Sequence, residues 1–323
     1  MKPNVRNLMA RPEMAALLIF LALFVAFSVI NGRFLTTGNM TVYLQPIPEL
    51  AIVAMGITIL IIAGEFDLSV GSVFGLSPMV TVLLMQSGWP VVAAILVGLA
   101  LAAMIGLANG LITLRLKIPS FIATLGMLFM ARSLAIVLAG GFPPVFPREL
   151  DMSWLVGRID LGIVAPRVSL LYMIAIGLVL GFVLRRMDFG HWIFATGGHP
   201  QAARDMGIKT ERVKIACFML CATLAGFAGI IQSFRVKVIV PNLGTGLEMQ
   251  AIAAAVIGGV ALTGGVGSIL GAVVGTLLIA MIENILILSG VNANWFMFAV
   301  GAMIVVAVVL NTQTRLKAEG MKG

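Results

Sequence analysis

The sequence predicts an all-α integral membrane protein of about ten transmembrane helices, with broken or re-entrant glycine-rich segments and both termini cytoplasmic. Composition is the first observation behind this. The mean hydropathy is +1.11, and 60% of residues are apolar against 11% charged, whereas soluble chains are ~45–50% apolar and ~25% charged. Span length is the second: apolar runs near the ~20 residues that cross a hydrocarbon core recur along the chain. Inside lipid every backbone amide must be bonded within its own segment, so these runs read as helices. Charge placement is the third. Numbering the spans from a cytoplasmic N-terminus puts fourteen Lys and Arg in internal segments and six in external ones, with Arg132 inside a span, out of 21 in all. That asymmetry follows the positive-inside rule. The same placement, in short loops, argues against a nucleic-acid partner despite the net charge of +8.

The spans fall at 14–31, 47–63, 70–86, 89–113, 120–139, 169–186, 213–233, 251–264, 268–288 and 293–311. The first has no small-residue cleavage site after a short apolar core, so it reads as a retained helix rather than a signal peptide. No polar stretch is long enough for a separate soluble domain, and residues 1–323 form one transmembrane domain with an external loop at 140–168 and a cytoplasmic loop at 187–212. Two segments are poor simple spans. Gly64-Glu65-Phe66-Asp67-Leu68-Ser69 interrupts the apolar pattern with two carboxylates, and Gly258-Gly259 through Gly264-Gly265-Val266-Gly267-Ser268 is its glycine-rich counterpart. Val70-Gly71-Ser72-Val73-Phe74-Gly75 aligns with Val266-Gly267-Ser268-Ile269-Leu270-Gly271, a weak internal repeat of the kind transporters build around a central pathway. Chance similarity between two Gly/Val-rich stretches is the alternative. Cys217 and Cys221 lie four apart on an apolar helix and read as inert packing.

The 187–212 loop carries the most informative stretch. His199-Pro200-Gln201-Ala202-Ala203-Arg204-Asp205-Met206-Gly207-Ile208 reads as a short surface helix: Pro200 suits its first position, and Gly207 supplies a left-handed stop. His199 reads most simply as its cap. Ala202 and Ala203 leave a flat face that a soluble partner could cover and push.

Five motifs, in order, carry a family resemblance. Glu65-Phe66-Asp67-Leu68-Ser69-Val70-Gly71-Ser72 resembles the GGxDLSVGS signature of permease subunits from bacterial ATP-binding-cassette (ABC) sugar importers of the ribose/xylose/arabinose type. Asn109-Gly110 with Lys117-Ile118-Pro119-Ser120-Phe121-Ile122-Ala123-Thr124-Leu125-Gly126, then Ala131-Arg132, also match. Gly198 to Ile208 is similar to the family's GGNPEAARLSGI loop, and Ala251-Ile252-Ala253-Ala254 with the glycines at 258–259 and 264–267 completes the pattern. Glu65 stands where the family usually has glycine, and His199 where it usually has asparagine. The resemblance implies a sugar permease in the bacterial inner membrane, paired with a second permease subunit, identical or paralogous. It further implies two cytoplasmic ATPase subunits and a periplasmic sugar-binding protein. Pro200, Ala202, Ala203, Arg204, Met206, Gly207 and Ile208 would then form the coupling helix that fits a cleft on the ATPase.

Glu65, Asp67, Ser69, Asn109, Arg132, Glu248 and Asn284 are the pathway or gating candidates. A charge in the bilayer costs ~2.5–3.5 kcal/mol or more and therefore faces a cavity or a partner. Asp67, assisted by Ser69, also reads as a cap on the helix that follows, where a carboxylate favours the N-terminal dipole; for Glu65 lining and capping stay open. Arg132 reads as bonded to carbonyls rather than snorkelling outward. Interhelical hydrogen bonding, which accounts for most such asparagines, is the other reading of Asn109, Glu283 and Asn284; for Glu248 and Gln250, beside Pro241, Gly244 and Gly246, a loop cap stands equal to docking or gating. Phe142, Pro143, Pro144, Phe146 and Trp154 form an outer-loop cluster at the lipid interface or against the binding protein.

No Walker A glycine loop with Lys-Ser/Thr occurs, so ATP and its Mg ion are expected on the partner ATPase and no cofactor in this chain. No metal cluster and no nucleophile–base pair is visible. An ion-coupled transporter would need Glu65, Asp67 or Glu283 as its ion site, and a passive channel lacks a ring-forming selectivity motif. Within the superfamily, branched-chain amino acids or nucleosides are the alternative substrates.

Overall fold

The chain folds as helices joined by short connectors in a computed structural model that describes residues 12–140, 142–146, 152–159, 166–240, 242–292 and 295–320. In order these are α1 (Pro12–Ile30), α2 (Thr37–Leu44), α3 (Ile47–Ile62), α4 (Val70–Gln86), α5 (Val91–Arg115) and α6 (Ser120–Leu138). There follow α7 (Ser153–Val156), α8 (Ser169–Arg186), α9 (Asp188–Gly198), α10 (Pro200–Asp205) and α11 (Thr210–Val236). The chain closes with α12 (Leu247–Ile257), α13 (Ile269–Leu288) and α14 (Trp295–Gly320). Seven helical segments are long and apolar enough to cross a membrane, α2 and α3 counting together, and α4, α12 and the first part of α14 are shorter apolar helices. These ten follow the order of the ten spans read from the sequence and, with α3 as the second, all but the eighth lie close to the expected bounds.

Helix α3 is the axis of the bundle. All sixteen of its residues are buried, beneath α8, α11, α12 and α13. A helix apolar all round belongs in an interior, whereas α1, α5, α6 and α8 keep Val29, Val92, Phe129 and Leu178 outward, as lipid-facing surfaces do. Small residues set the closest packing, because within lipid helices associate through contact rather than through expulsion of water. A Cβ on Gly229 would run into the Phe74 carbonyl, one on Gly106 into Phe218, and one on Gly275 into Ala254. Cys217 and Cys221 are free, buried thiols in this packing.

Two details depart from the sequence reading. The 251–264 span is a helix only to Ile257; Gly258 and the residues to Ser268 form a connector, with Gly259, Gly264 and Gly265 at positive φ. The weak repeat holds as a local order of helix, glycine break and helix, but α12 and α13 fold back on each other while α3 and α4 part. Pro241, named with the loop before α12, lies outside the described residues.

Candidate functional site

The connector between α3 and α4 is clamped from three sides. Its Phe66 N–H donates to Ser120 Oγ at 3.2 Å and its Leu68 N–H to Thr124 Oγ1 at 3.1 Å, both from the first turns of α6. Asp67 Oδ1 accepts from the Ser69 N–H at 2.8 Å and from Ser69 Oγ at 2.6 Å. Asn109 Nδ2, on α5, donates to Asp67 Oδ2 at 3.2 Å and to Ser69 Oγ at 2.9 Å. Asp67, Ser69 and Asn109 are all fully buried. The carboxylate therefore caps the turn into α4 and ties it to α5. Burial pushes the Asp67 carboxyl up to about 6, held down from a larger rise by the hydrogen bonds from Ser69 and Asn109.

Glu65 points the other way and pairs with Lys214 Nζ of α11 at 2.6 Å. The pair sits in the wall of a cavity of about 390 Å³ that also touches Lys117, Ser120, Pro200 and Arg204. Lys214 was not singled out in the sequence because one lysine near a helix start resembles any interfacial cation.

Helix α10 stands on this same face. Pro200 opens it, Gly207 (φ +86°) ends it, and Met206 beyond it is 83% exposed. Within it Gln201 donates to Asp205 Oδ1 at 3.1 Å and Arg204 Nε to the Pro200 carbonyl at 3.3 Å. Two readings need correction. Ala203 is only 1% exposed and packs inward, so the outward face belongs to Gln201, Ala202, Arg204 and Met206. His199 precedes the helix without a side-chain capping bond.

What connects α10 to the bundle is the Gly197-Gly198 pair at the end of α9. Gly197 lies against the Ile62 carbonyl at the end of α3, and Gly64 and Gly264 close on it from the two connectors. The Gly265 N–H donates to that Ile62 carbonyl at 2.9 Å. Three backbone segments, 62–64, 197–198 and 264–265, thus meet without an intervening side chain, and Gly64 (φ +84°), Gly264 (φ +84°) and Gly265 (φ +73°) adopt a conformation that costs glycine little. The glycine pair at 197–198 was the available sequence signal for this joint.

On the opposite face, Arg132 Nη1 donates to the Leu243 carbonyl at 2.7 Å, fixing the loop before α12. Glu248 accepts from the Gly246 N–H at 3.2 Å, a cap on its own helix. Asn284 and Asn39 exchange amide hydrogen bonds at 2.8 and 3.0 Å between α13 and α2. Arg235 pairs with the buried Glu49 at 3.0 Å. Each of these candidates is held by a structural bond, and they do not converge on one site. In the connection between α6 and α8 Phe146 packs edge-on against Phe234, while Phe142 and Trp154 stay exposed.

A bundle of ten apolar helical segments, broken at glycine connectors and presenting a short polar helix beyond its span ends, defines a multi-pass membrane permease. The chain belongs to the family described as branched-chain amino acid transport system / permease component, which matches residues 39–308. It is similar to the xylose/arabinose import permease protein of Sulfolobus acidocaldarius, 33% identical over 95% of this chain and 87% of the relative. It is also similar to the autoinducer 2 import system permease protein of Escherichia coli O157:H7, 33% identical over 95% of this chain and 89% of the relative. The Salmonella typhi counterpart is 32% identical over 94% and 86%. No solved structure matches the chain. Family and helices together make it a multi-pass inner-membrane protein.

Proposed function

We propose that this chain is the permease subunit of an ABC importer that moves a pentose or related monosaccharide or polyol into the cytoplasm by alternating access. Two such subunits, identical or paralogous, would enclose the pathway. Cytoplasmic ATPases would hold ATP and Mg, this chain carrying no cofactor, and a periplasmic sugar-binding protein would deliver the substrate. Surrounding lipid is its other partner, and no nucleic acid is involved. The names of its relatives, which import xylose/arabinose and autoinducer 2, support the substrate class.

The observation that carries the mechanism is the all-glycine contact between the α9–α10 unit and both connectors. A force on α10 reaches Ile62, Gly64 and Gly265 through backbone alone, so closure of the ATPases would shift the ends of α3, α4 and α13 together. Gly207→Arg and Met206→Glu test this. The expected result is normal folding and membrane level, retained ATP hydrolysis, and uptake lowered at least about tenfold. Normal uptake in both variants would remove α10 from the coupling path. A branched-chain amino acid permease is the second reading, favoured by the family description. Uptake of labelled valine in place of labelled xylose or arabinose by the same vesicles would select it.

A further inference from the structure

Gln232 of α11, Gln250 of α12 and Glu283 of α13 line one open cavity of about 240 Å³ at the end of the bundle away from α10. Its floor and wall include Pro46, Leu50 and Phe74. Among the described residues none of the three polar side chains has a hydrogen bond or ion pair. Their neighbours differ in this respect. Glu49 is paired with Arg235, Glu248 bonds Gly246 and Asn284 bonds Asn39. Polar side chains within apolar spans are costly unless satisfied, and three from separate helices aimed at one cavity leave their partners to be supplied from outside the protein.

The donor set selects the ligand. Two carboxamides each offer both donors and acceptors, and a carboxylate accepts strongly. Hydroxyl groups donate and accept at once, so a polyhydroxylated molecule satisfies all three against an apolar wall. A metal ion would leave the amide N–H groups unused. A free amino acid would bring its carboxylate to Glu283 with no Lys or Arg in the lining. We propose that this cavity is a monosaccharide or polyol subsite on each permease subunit, entered from the face opposite α10. The proposal rests on the sugar-import reading above and names the side chains that would carry it.

The test uses the complete importer, with its ATPases and binding protein, in liposomes supplied with labelled xylose and arabinose. Gln232→Leu, Gln250→Leu and Glu283→Leu are each expected to lower uptake about threefold to twentyfold, the worth of one intramembrane hydrogen bond. ATP hydrolysis stimulated by the binding protein should stay within about twofold, which shows the fold and coupling intact. Glu283→Gln, which keeps the hydrogen-bonding shape, should retain most uptake. Unchanged uptake in all three leucine variants overturns the subsite. So does a pattern in which only loss of the Glu283 charge matters, since that marks a cation site. Wild-type vesicles that move no sugar overturn the sugar-import reading itself, a result distinct from wild-type uptake that the variants share.

Discussion

Asp67 carries a charge-bearing group into the interior, and its neighbours decide what that group does. Both its oxygens are engaged by Ser69 and Asn109, so truncation leaves the Ser69 N–H and the Ser69 hydroxyl without their acceptor and takes one of two acceptors from the Asn109 amide, which keeps Ser69 Oγ. Unsatisfied buried groups cost ~1–3 kcal/mol each. Asp67→Ala should therefore lower the detergent melting temperature, and Asn109→Leu should do so by less, because Asn109 Oδ1 already lacks a partner. Equal melting temperatures for Asp67→Ala and the parent would show that the network contributes nothing. The Glu65–Lys214 pair is only partly exposed, at 12% and 15% of its side chains. Removing one partner strands the other, as for buried pairs in general. Lys214→Met should destabilise the protein, and Glu65→Lys with Lys214→Glu should restore it. A double variant as unstable as Lys214→Met would argue that packing of the lysine stem, not the ion pair, matters.

Among the elements, α9 and α10 hold the widest gap between what sequence and structure reveal. The turn chemistry of α10 was readable: Pro200 and Gly207 act locally, and local rules carry over directly into its first position and its left-handed stop. Which face of so short a helix turns inward was not readable, because Ala202 and Ala203 are alike in size and polarity and only the packing of the bundle distinguishes them. The α9 helix and the short α2 escaped for a related reason, since polar and glycine residues broke their apolar periodicity. The joint at Gly197 depends on contacts from residues more than sixty positions away, which no local pattern encodes. It yields a sharp contrast. Gly197→Ala would place a methyl against the Ile62 carbonyl, whereas a Cβ at Gly198 meets Gly265 Cα at an ordinary 3.7 Å. Gly197→Ala should reduce uptake far more than Gly198→Ala, at equal membrane levels. Similar uptake in both would show that the joint tolerates a side chain.

For the molecule as a whole, the ten-segment architecture was legible because hydropathy and the lipid's demand for internal hydrogen bonding leave little choice. The pathway candidates were legible as polar residues, and a structural bond was a reading open for each: the Glu248 cap on Gly246 is local, whereas the partners of Asn284 and Arg132, Asn39 and the Leu243 carbonyl, come from distant parts of the chain that no local pattern names. The arrangement of basic loops predicts a sided labelling pattern. Cysteine at Met206 should react with impermeant thiol reagents only from the cytoplasmic side, and cysteine at Phe142 only from the outer side, both positions being highly exposed. Reaction of both from one side would contradict the orientation.

If α10 is the contact through which a soluble ATPase drives this bundle, photo-crosslinking from position 206 in native membranes reads that contact directly. A photoreactive side chain in place of Met206 should yield one adduct containing an ATPase subunit, weakened by Gly207→Arg. A side chain at 206 that captures no ATPase, in membranes where the chain still transports on an imposed ion gradient, would contradict the account.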